Sequence, residues 1–244
     1  MNALLAFDTA TEKMSIAVSV AERVWTHEAA GGALASATLI PAILALLARA
    51  GVGLRDLDAI AFGRGPGAFT GLRTACSVAQ GLAFGADKPV LPIDTLMTIA
   101  EDARGGRSQW DGWAVMDARM DEIYAGHYDF ADGQWWVLAE PRLTTPQVLN
   151  ALWQANAPRV VAGNALAVFG DRLLPHGARL VSDAMPRAPA MLPLARQLWS
   201  QGGAVAAALA LPIYLRDKVA QTSAEREAAR EAKASAAVAD RAAR

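Results

Sequence analysis

The segment Ala61-Phe62-Gly63-Arg64-Gly65-Pro66-Gly67-Ala68-Phe69-Thr70-Gly71-Leu72-Arg73 constrains this chain more than any other. Four glycines and one proline fall between Gly63 and Gly71. They separate an apolar run ending at Phe62 from a run rich in small residues. Proline fixes φ and glycine takes backbone angles that other residues resist, so Gly65-Pro66-Gly67 reads as a turn. Asp58 to Phe62 reads as a strand, and the residues from about Leu72 as a helix with Thr70 as its N-cap. A strand, a sharp turn and a helix in that order aim backbone N–H groups and the positive end of a helix dipole at one small volume. Such a corner, at Gly65, Gly67 and Thr70, can bind an anion or can act as a rigid junction that places helices against another chain.

The rest of the pattern is a repeat. Residues 3 to 8 read as a buried strand, Ser15 to Val20 as its return after the polar connection Thr9 to Lys13, and Val24 to Glu28 as a third strand. Helices are predicted from about Ser36 to Ala50, closed by Gly51, and from the glycine segment to Phe84, closed by Gly85. Val90 to Ile93 is a short strand, and Asp94 caps a helix reaching Arg104. After Gly105-Gly106-Arg107-Ser108 the order restarts. Trp113-Ala114-Val115-Met116-Asp117 repeats Leu4-Leu5-Ala6-Phe7-Asp8, and Ile123 to Tyr128 repeats Ser15 to Val20. Thr144 to Asn156 and Leu192 to Gln201 are the clearest helices of the second half. Strands alternating with helices indicate an α/β protein with mixed sheets. The expected division is a lobe at 1–104, a smaller lobe at 105–221 and a tail at 222–244. In the tail, ten of the twenty residues from Ala224 to Ala243 are alanine. It is expected to be an exposed helix or disordered, since it lacks an apolar stripe. A basic RNA-binding arm is the alternative, but acids there roughly balance bases.

"AFGRGPGAFTGLRTA", "FDTATEKMSIAV" and "DARMDEIYAG" together resemble the bacterial TsaB family, over roughly residues 1 to 225. The resemblance implies a two-lobed actin-like fold, the architecture shared with sugar kinases and Hsp70 ATPases (the ASKHA fold). It implies a cytoplasmic, non-catalytic scaffold subunit in the making of threonylcarbamoyladenosine beside the tRNA anticodon. The implied partners are a metal-bearing TsaD-type transferase, a small TsaE-type P-loop ATPase, tRNA reached through the complex, and a second copy of the chain as a homodimer. No cofactor of its own is implied, although ATP or ADP held at a subunit interface is compatible with the family.

In actin-like ATPases the opening hairpin of each lobe carries an aspartate that orders Mg²⁺ near the phosphates. Asp8 with Thr11 matches this in the first half, and Asp117 less well in the second, where Arg119 and Met120 replace small hydroxyl residues. An ATPase or small-molecule kinase using Asp8, Thr11 and Asp117 is therefore the rival reading. Against it, Asp readily stabilises a hairpin turn, and Gly163-Asn164 is too little for an adenosine site. The three histidines, His27, His127 and His176, are each at least 49 residues from the next, so none has the i,i+4 spacing of a helical metal pair. The resembled family's catalytic relative carries His-x-x-x-His in the helix after its third strand. Here that helix reads Ser36-Ala37-Thr38-Leu39-Ile40-Pro41-Ala42-Ile43-Leu44. Gly63 to Ala68 formally fits a dinucleotide fingerprint, but Pro66 removes an N–H and the helix starts too late.

The net charge of −1 argues against a chain that grips nucleic acid alone. The single cysteine, Cys76, excludes an intramolecular disulfide and reads as a small buried hydrophobe rather than a reactive thiol. With no secretory signal recognisable, a cytosolic setting is expected. The uncharged stretches Ala29 to Ala48 and Gln197 to Leu215 are broken by polar residues, Gly and Pro, so no membrane span is expected. Trp110, Trp113, Tyr128, Phe130, Trp135 and Trp136 read as rings covering a sheet rather than a base-stacking platform. In the first helix, Leu39, Ile43, Leu46 and Ala50 share a face and Ile40, Leu44 and Leu47 an adjacent one, an arc wider than one sheet contact consumes. The second helix is rich in small residues. In the resembled family these helices pair with their counterparts in the transferase or a second copy. The expected interface residues are Leu39, Ile40, Ile43, Leu44, Leu47, Phe69, Arg73, Ala75, Cys76 and Ala79.

Overall fold

A computed structural model describes residues 1–216; the tail expected at 222–244 lies outside the described residues. Two five-stranded sheets carry the architecture. In the first, β1 (Ala3–Asp8), β2 (Lys13–Val20) and β3 (Arg23–Ala30) form an antiparallel meander. β4 (Ala59–Gly65) and β5 (Val90–Asp94) run parallel to β1 on its other side, giving the order β3-β2-β1-β4-β5. The second sheet repeats the order with β6 (Trp110–Asp117), β7 (Ile123–Ala131), β8 (Gln134–Thr144), β9 (Val160–Ala162) and β10 (Arg179–Val181), arranged β10-β9-β6-β7-β8. The similarity of Leu4–Asp8 to Trp113–Asp117 is thus a similarity of place, since β1 and β6 are equivalent central strands.

Helices fill the space around the sheets in layers. α1 (Ala35–Ala50) and α2 (Phe69–Ala86) cover the outer face of the first sheet. α3 (Thr95–Arg104) and α6 (Ala188–Ser200) lie between the two sheets, with α6 returning from the second half of the chain to pack on β1 and β2. α4 (Pro146–Ala155) and α5 (Ala165–Phe169) close the far face of the second sheet around Leu149, Trp153 and Phe169. β1 feeds two cores because successive side chains point to opposite faces: Leu4 and Ala6 join the layer between the sheets, while Leu5 and Phe7 meet α1 and α2. Apolarity on both faces explains why β1 reads as an unbroken run rather than an alternation.

Several boundaries differ from the sequence reading. β4 continues through Gly63 and Arg64 to Gly65, where the Gly65–Pro66 peptide is cis. α2 begins at Phe69 with Ala68 as N-cap, so Thr70 lies inside the first turn and caps nothing; its carbonyl accepts from Thr74 Oγ1 at 3.0 Å. The helix starts early because Ala68 is already pinned, donating its N–H to the Ala10 carbonyl at 2.8 Å. At the other end, α2 passes Gly85 and is closed by Asp87 at φ +54°. Asp94 precedes α3 without capping it through its side chain, which instead pairs with Arg64 at 2.6 Å. The aromatic residues pack as rings on the second sheet. Trp110, Trp113, Tyr128 and Trp135 are buried, and Trp135 Nε1 donates to Glu101 at 2.9 Å; only Trp136 is exposed among the tryptophans of that group. Among the described residues no helix is long and apolar enough to cross a membrane.

Candidate functional site

Two features of the surface stand out: a cleft between the halves, and the outer face of α1 and α2. The cleft holds a cavity of about 430 Å³. Its walls are the β1–β2 turn at Ala10 to Glu12, the start of α2, the β6–β7 turn at Asp117 to Met120, Asn164, and the segment Ile213 to Arg216.

The glycine corner presses against the β1–β2 turn, and Gly67 also meets the cavity beside Ala10. A Cβ at Gly63 would fall on the Asp8 carboxylate, one at Gly67 on Ala10, and one at Gly71 on the Thr9 carbonyl, all closer than 3.0 Å. Thr9 Oγ1 donates to the Gly71 carbonyl at 2.8 Å across the same contact. These glycines exist so that the chain's own hairpin can sit there. Of the residues read as an anion corner, Gly67 abuts Ala10 and lines the cavity, and Gly65, at φ +109°, abuts the Ile213 carbonyl and Leu72.

Asp8 does not face the cleft. It is fully buried, accepting from Ala10 N at 2.7 Å and Thr95 Oγ1 at 2.9 Å. With no access to the cavity it cannot order a hydrated cation there, which corrects its candidacy as a nucleotide-site aspartate. Burial pushes its carboxyl from 3.8 up to about 6, against the lowering effect of the two hydrogen bonds. Between the two pKa values the native state binds the proton that the unfolded chain has lost, so stability falls as pH rises. This group alone costs about 3 kcal/mol between about pH 4 and about pH 7. Asp8→Asn keeps the acceptor for Ala10 and removes the charge. Urea unfolding across that range is expected to show the variant gaining on the native chain as pH rises; parallel pH curves would contradict the account.

Thr11 reaches the cavity, but its hydroxyl donates to the Lys13 carbonyl at 3.1 Å and accepts from Lys13 N at 3.2 Å, closing its own turn. Asp117 lines the cavity with its carboxylate engaged by Arg119, through the backbone N–H at 2.9 Å and the guanidinium at 3.2 Å. Asn164 Oδ1 accepts from Asp117 N at 3.0 Å and ties α5 to the end of β6. The structure thus brings Thr11, Gly67 and Asp117 to one cleft but leaves Asp8 behind it. Among the described residues no three His, Cys, Asp or Glu side chains gather as a metal-binding group.

The α1–α2 face divides the expected interface residues. Leu39, Ile43, Leu47, Ala75, Cys76 and Ala79 are buried against the first sheet and each other, which corrects their placement at a partner surface. Ile40 and Leu44 stay outside, but Leu47, expected in their row, is buried with Leu39, Ile43 and Leu46 against the sheet and α2. Burial also pushes the Cys76 thiol up to about 11, which keeps it protonated and inert. Ile40 and Leu44 remain exposed, at 41% and 48%. Around them on α1 lie the exposed Ala37, Pro41, Ala45 and Ala48, and on α2 the exposed Ser77, Gly81, Gly85 and Phe84, the last at 85%. Arg49 and Arg73 are the only charged residues in either helix. Arg73 is exposed and lies over the half-buried Phe69 ring at 3.9 Å. Phe84 and the segment from Ile213 to Arg216 were missed from sequence; an exposed phenylalanine carries no local signal.

Residues 21–169 match the family described as "TsaD: tRNA N6-adenosine threonylcarbamoyltransferase". The chain is similar to the tRNA threonylcarbamoyladenosine biosynthesis protein TsaB of Haemophilus influenzae, at 38% identity over 88% of this chain and 94% of that one. It is 34% identical to the protein of the same name from Escherichia coli, over 89% and 96% of the two chains. A solved structure, "YeaZ from Pseudomonas aeruginosa", superposes with a TM-score of 0.80 at 38% identity, covering 88% of this chain and all (100%) of that one.

Proposed function

This chain belongs to the TsaB family of tRNA threonylcarbamoyladenosine biosynthesis proteins, and we propose that within that pathway it is a non-catalytic subunit that holds a TsaD-type transferase in its working arrangement. The observation that carries the proposal is the exposed apolar face of α1 and α2 around Ile40, Leu44 and Phe84, on which Arg49 and Arg73 are the only charges. Apolar patches of this kind on soluble domains mark surfaces that another chain covers. Small residues such as Ser77, Gly81 and Gly85 let a partner helix approach the backbone of α2 closely, so the natural occupant is a matching pair of helices. The transferase is the proposed heteromeric partner, a second copy of this chain the competing one, and a TsaE-type ATPase the third member, with tRNA reached through the assembly in the cytoplasm. Sequestration of Asp8 supports the non-catalytic role, as does the absence from α1 of any histidine at the positions where the transferase relative carries its pair. Any ATP or ADP in the assembly then belongs to the junction between subunits rather than to this chain's own cleft.

Co-elution of the purified chain with the transferase from the same source tests the proposal. A stable one-to-one complex in size-exclusion chromatography with light scattering is expected; separate elution at micromolar concentration would contradict it.

A further inference from the structure

The last described residues, Leu211 to Arg216, form no helix or strand, yet they touch both halves of the molecule. On the first half, Ile213 N donates to the Arg64 carbonyl at 2.7 Å. The Tyr214 ring packs on Phe69 at 5.3 Å, and its hydroxyl accepts from Arg73 Nε at 3.2 Å. Gly65 has no side chain where the Ile213 carbonyl comes closest. On the second half, Arg216 pairs with Glu122 at 2.5 Å and donates to the Arg119 carbonyl at 3.2 Å. The Arg216 side chain is only 16% exposed, whereas Arg119 is 76% exposed. The pairing is thus partly shielded from water and stronger than an ordinary surface ion pair.

The receiving turn is itself unusual. Arg119, Met120 and Asp121 have φ of +62°, +55° and +64°, the left-handed region that residues with a side chain enter at a cost of about 1 kcal/mol each. A turn holding three such residues in succession needs bracing from outside. Arg172 supplies part of it, donating twice to the Asp121 carboxylate at 2.6 Å, and Arg216 the rest, gripping the Arg119 carbonyl, the Met120 sulfur and Glu122 together.

We infer that Leu211–Arg216 is an inter-lobe clasp. Anchored on Arg64, Phe69 and Arg73, and latched by Arg216 onto the β6–β7 turn, it sets the separation of the two sheets across the cleft and keeps the cavity covered. Latched and released states differ by the Arg216 contacts, so the cleft opens by hinging of the halves when the latch is lost. The inference concerns the isolated chain and does not depend on the proposed partner.

Spin labels on Glu22→Cys and Gln147→Cys, one on each half and both exposed in the native chain, read the separation by pulsed dipolar spectroscopy, and buried Cys76 stays unlabelled. The native clasp predicts one narrow distance distribution. Arg216→Glu, which places a second negative charge beside Glu122, predicts a broader and longer one, and adding Glu122→Arg restores the narrow form. Hydrogen exchange gives an independent readout. The amides of Ala118 and Glu122, which close the turn through bonds to Glu122 and Arg119, are expected to exchange at least about tenfold faster in Tyr214→Ala. An unchanged distance distribution in Arg216→Glu, failure of the charge swap to restore it, or unchanged exchange in Tyr214→Ala would each overturn the clasp.

Discussion

Gly71→Ala is expected to destabilise the chain by about 3 kcal/mol or more, a large share of a domain's ordinary stability, although it adds one methyl group to the start of a helix. The methyl would fall on the Thr9 carbonyl oxygen, a backbone atom at the mouth of the β1–β2 hairpin. Neither side can yield easily. β1 is buried from end to end, and α2 is fixed by Ala68 bonded to the Ala10 carbonyl and by Thr9 Oγ1 bonded to Gly71 itself. Separating the two elements breaks those bonds and opens a gap beside Asp8, whose burial already weakens the fold at neutral pH. A loss of at least about 3 kcal/mol follows, in the range reserved for overpacked buried sites. Gly81→Ala is the control. It lies in the same helix with nothing within 4 Å of the added Cβ, and replacing an exposed helical glycine stabilises by about 0.5 to 1 kcal/mol. Urea denaturation of the two variants measures both signs. A Gly71→Ala protein as stable as the native one would show that the corner is looser than its contacts imply.

Two neighbouring positions on α1 are expected to fail in opposite ways. Ile43 is fully buried between α1 and the first sheet, so Ile43→Asp places an unpaired carboxylate in an apolar core and destroys the fold. Leu44, one residue further and 48% exposed, tolerates the same change with a melting temperature within about 3 °C of the native chain, because surface substitutions seldom shift stability by more than about 0.5 kcal/mol. Its effect falls on association. At the centre of the proposed apolar interface, Leu44→Asp would bury a carboxylate and is expected to weaken pairing with the transferase at least about hundredfold, equivalent to about 3 kcal/mol. Isothermal titration with the transferase, alongside a melting curve, separates the two failures. Native affinity in a folded Leu44→Asp protein would remove α1 from the interface.

The contrast between Ile43 and Leu44 also marks how far the sequence could be read. Periodicity separated Leu39 and Ile43 from Ile40 and Leu44 but put Leu47 in the wrong row. The predicted strands and helices, including the restart in β6, carried over to the folded molecule, whereas β9, β10 and α5 had no counterpart in that reading. What periodicity cannot supply is the width of the neighbouring surface. α2, with its small residues, lets α1 settle deep enough to bury Leu47 as well as Leu39 and Ile43. The glycine segment was legible as a sharp corner but not as to what fills it. Gly63, Gly67 and Gly71 are answered by Asp8, Ala10 and Thr9, more than fifty residues earlier, and no local pattern reports that encounter. Asp8 was misjudged for the same reason, since a carboxylate after a strand looks alike whether it opens to a cleft or turns into the core. The clasp was invisible because Tyr214 and Arg216 act through partners 94 to 145 residues away, from Glu122 to Phe69.

The central claim is that this chain contributes no chemistry and is nonetheless required. Reconstitution of threonylcarbamoyl transfer on unmodified tRNA tests it most directly, with the transferase, the P-loop ATPase and the threonylcarbamoyl donor held constant and only this chain varied. The account predicts robust modification with the native chain and with Asp8→Asn, which removes the one buried aspartate a catalytic reading would need. It predicts near-background modification when the chain is omitted or replaced by Leu44→Asp. Full modification without the chain, or its loss in a folded Asp8→Asn protein that still pairs with the transferase, would contradict it.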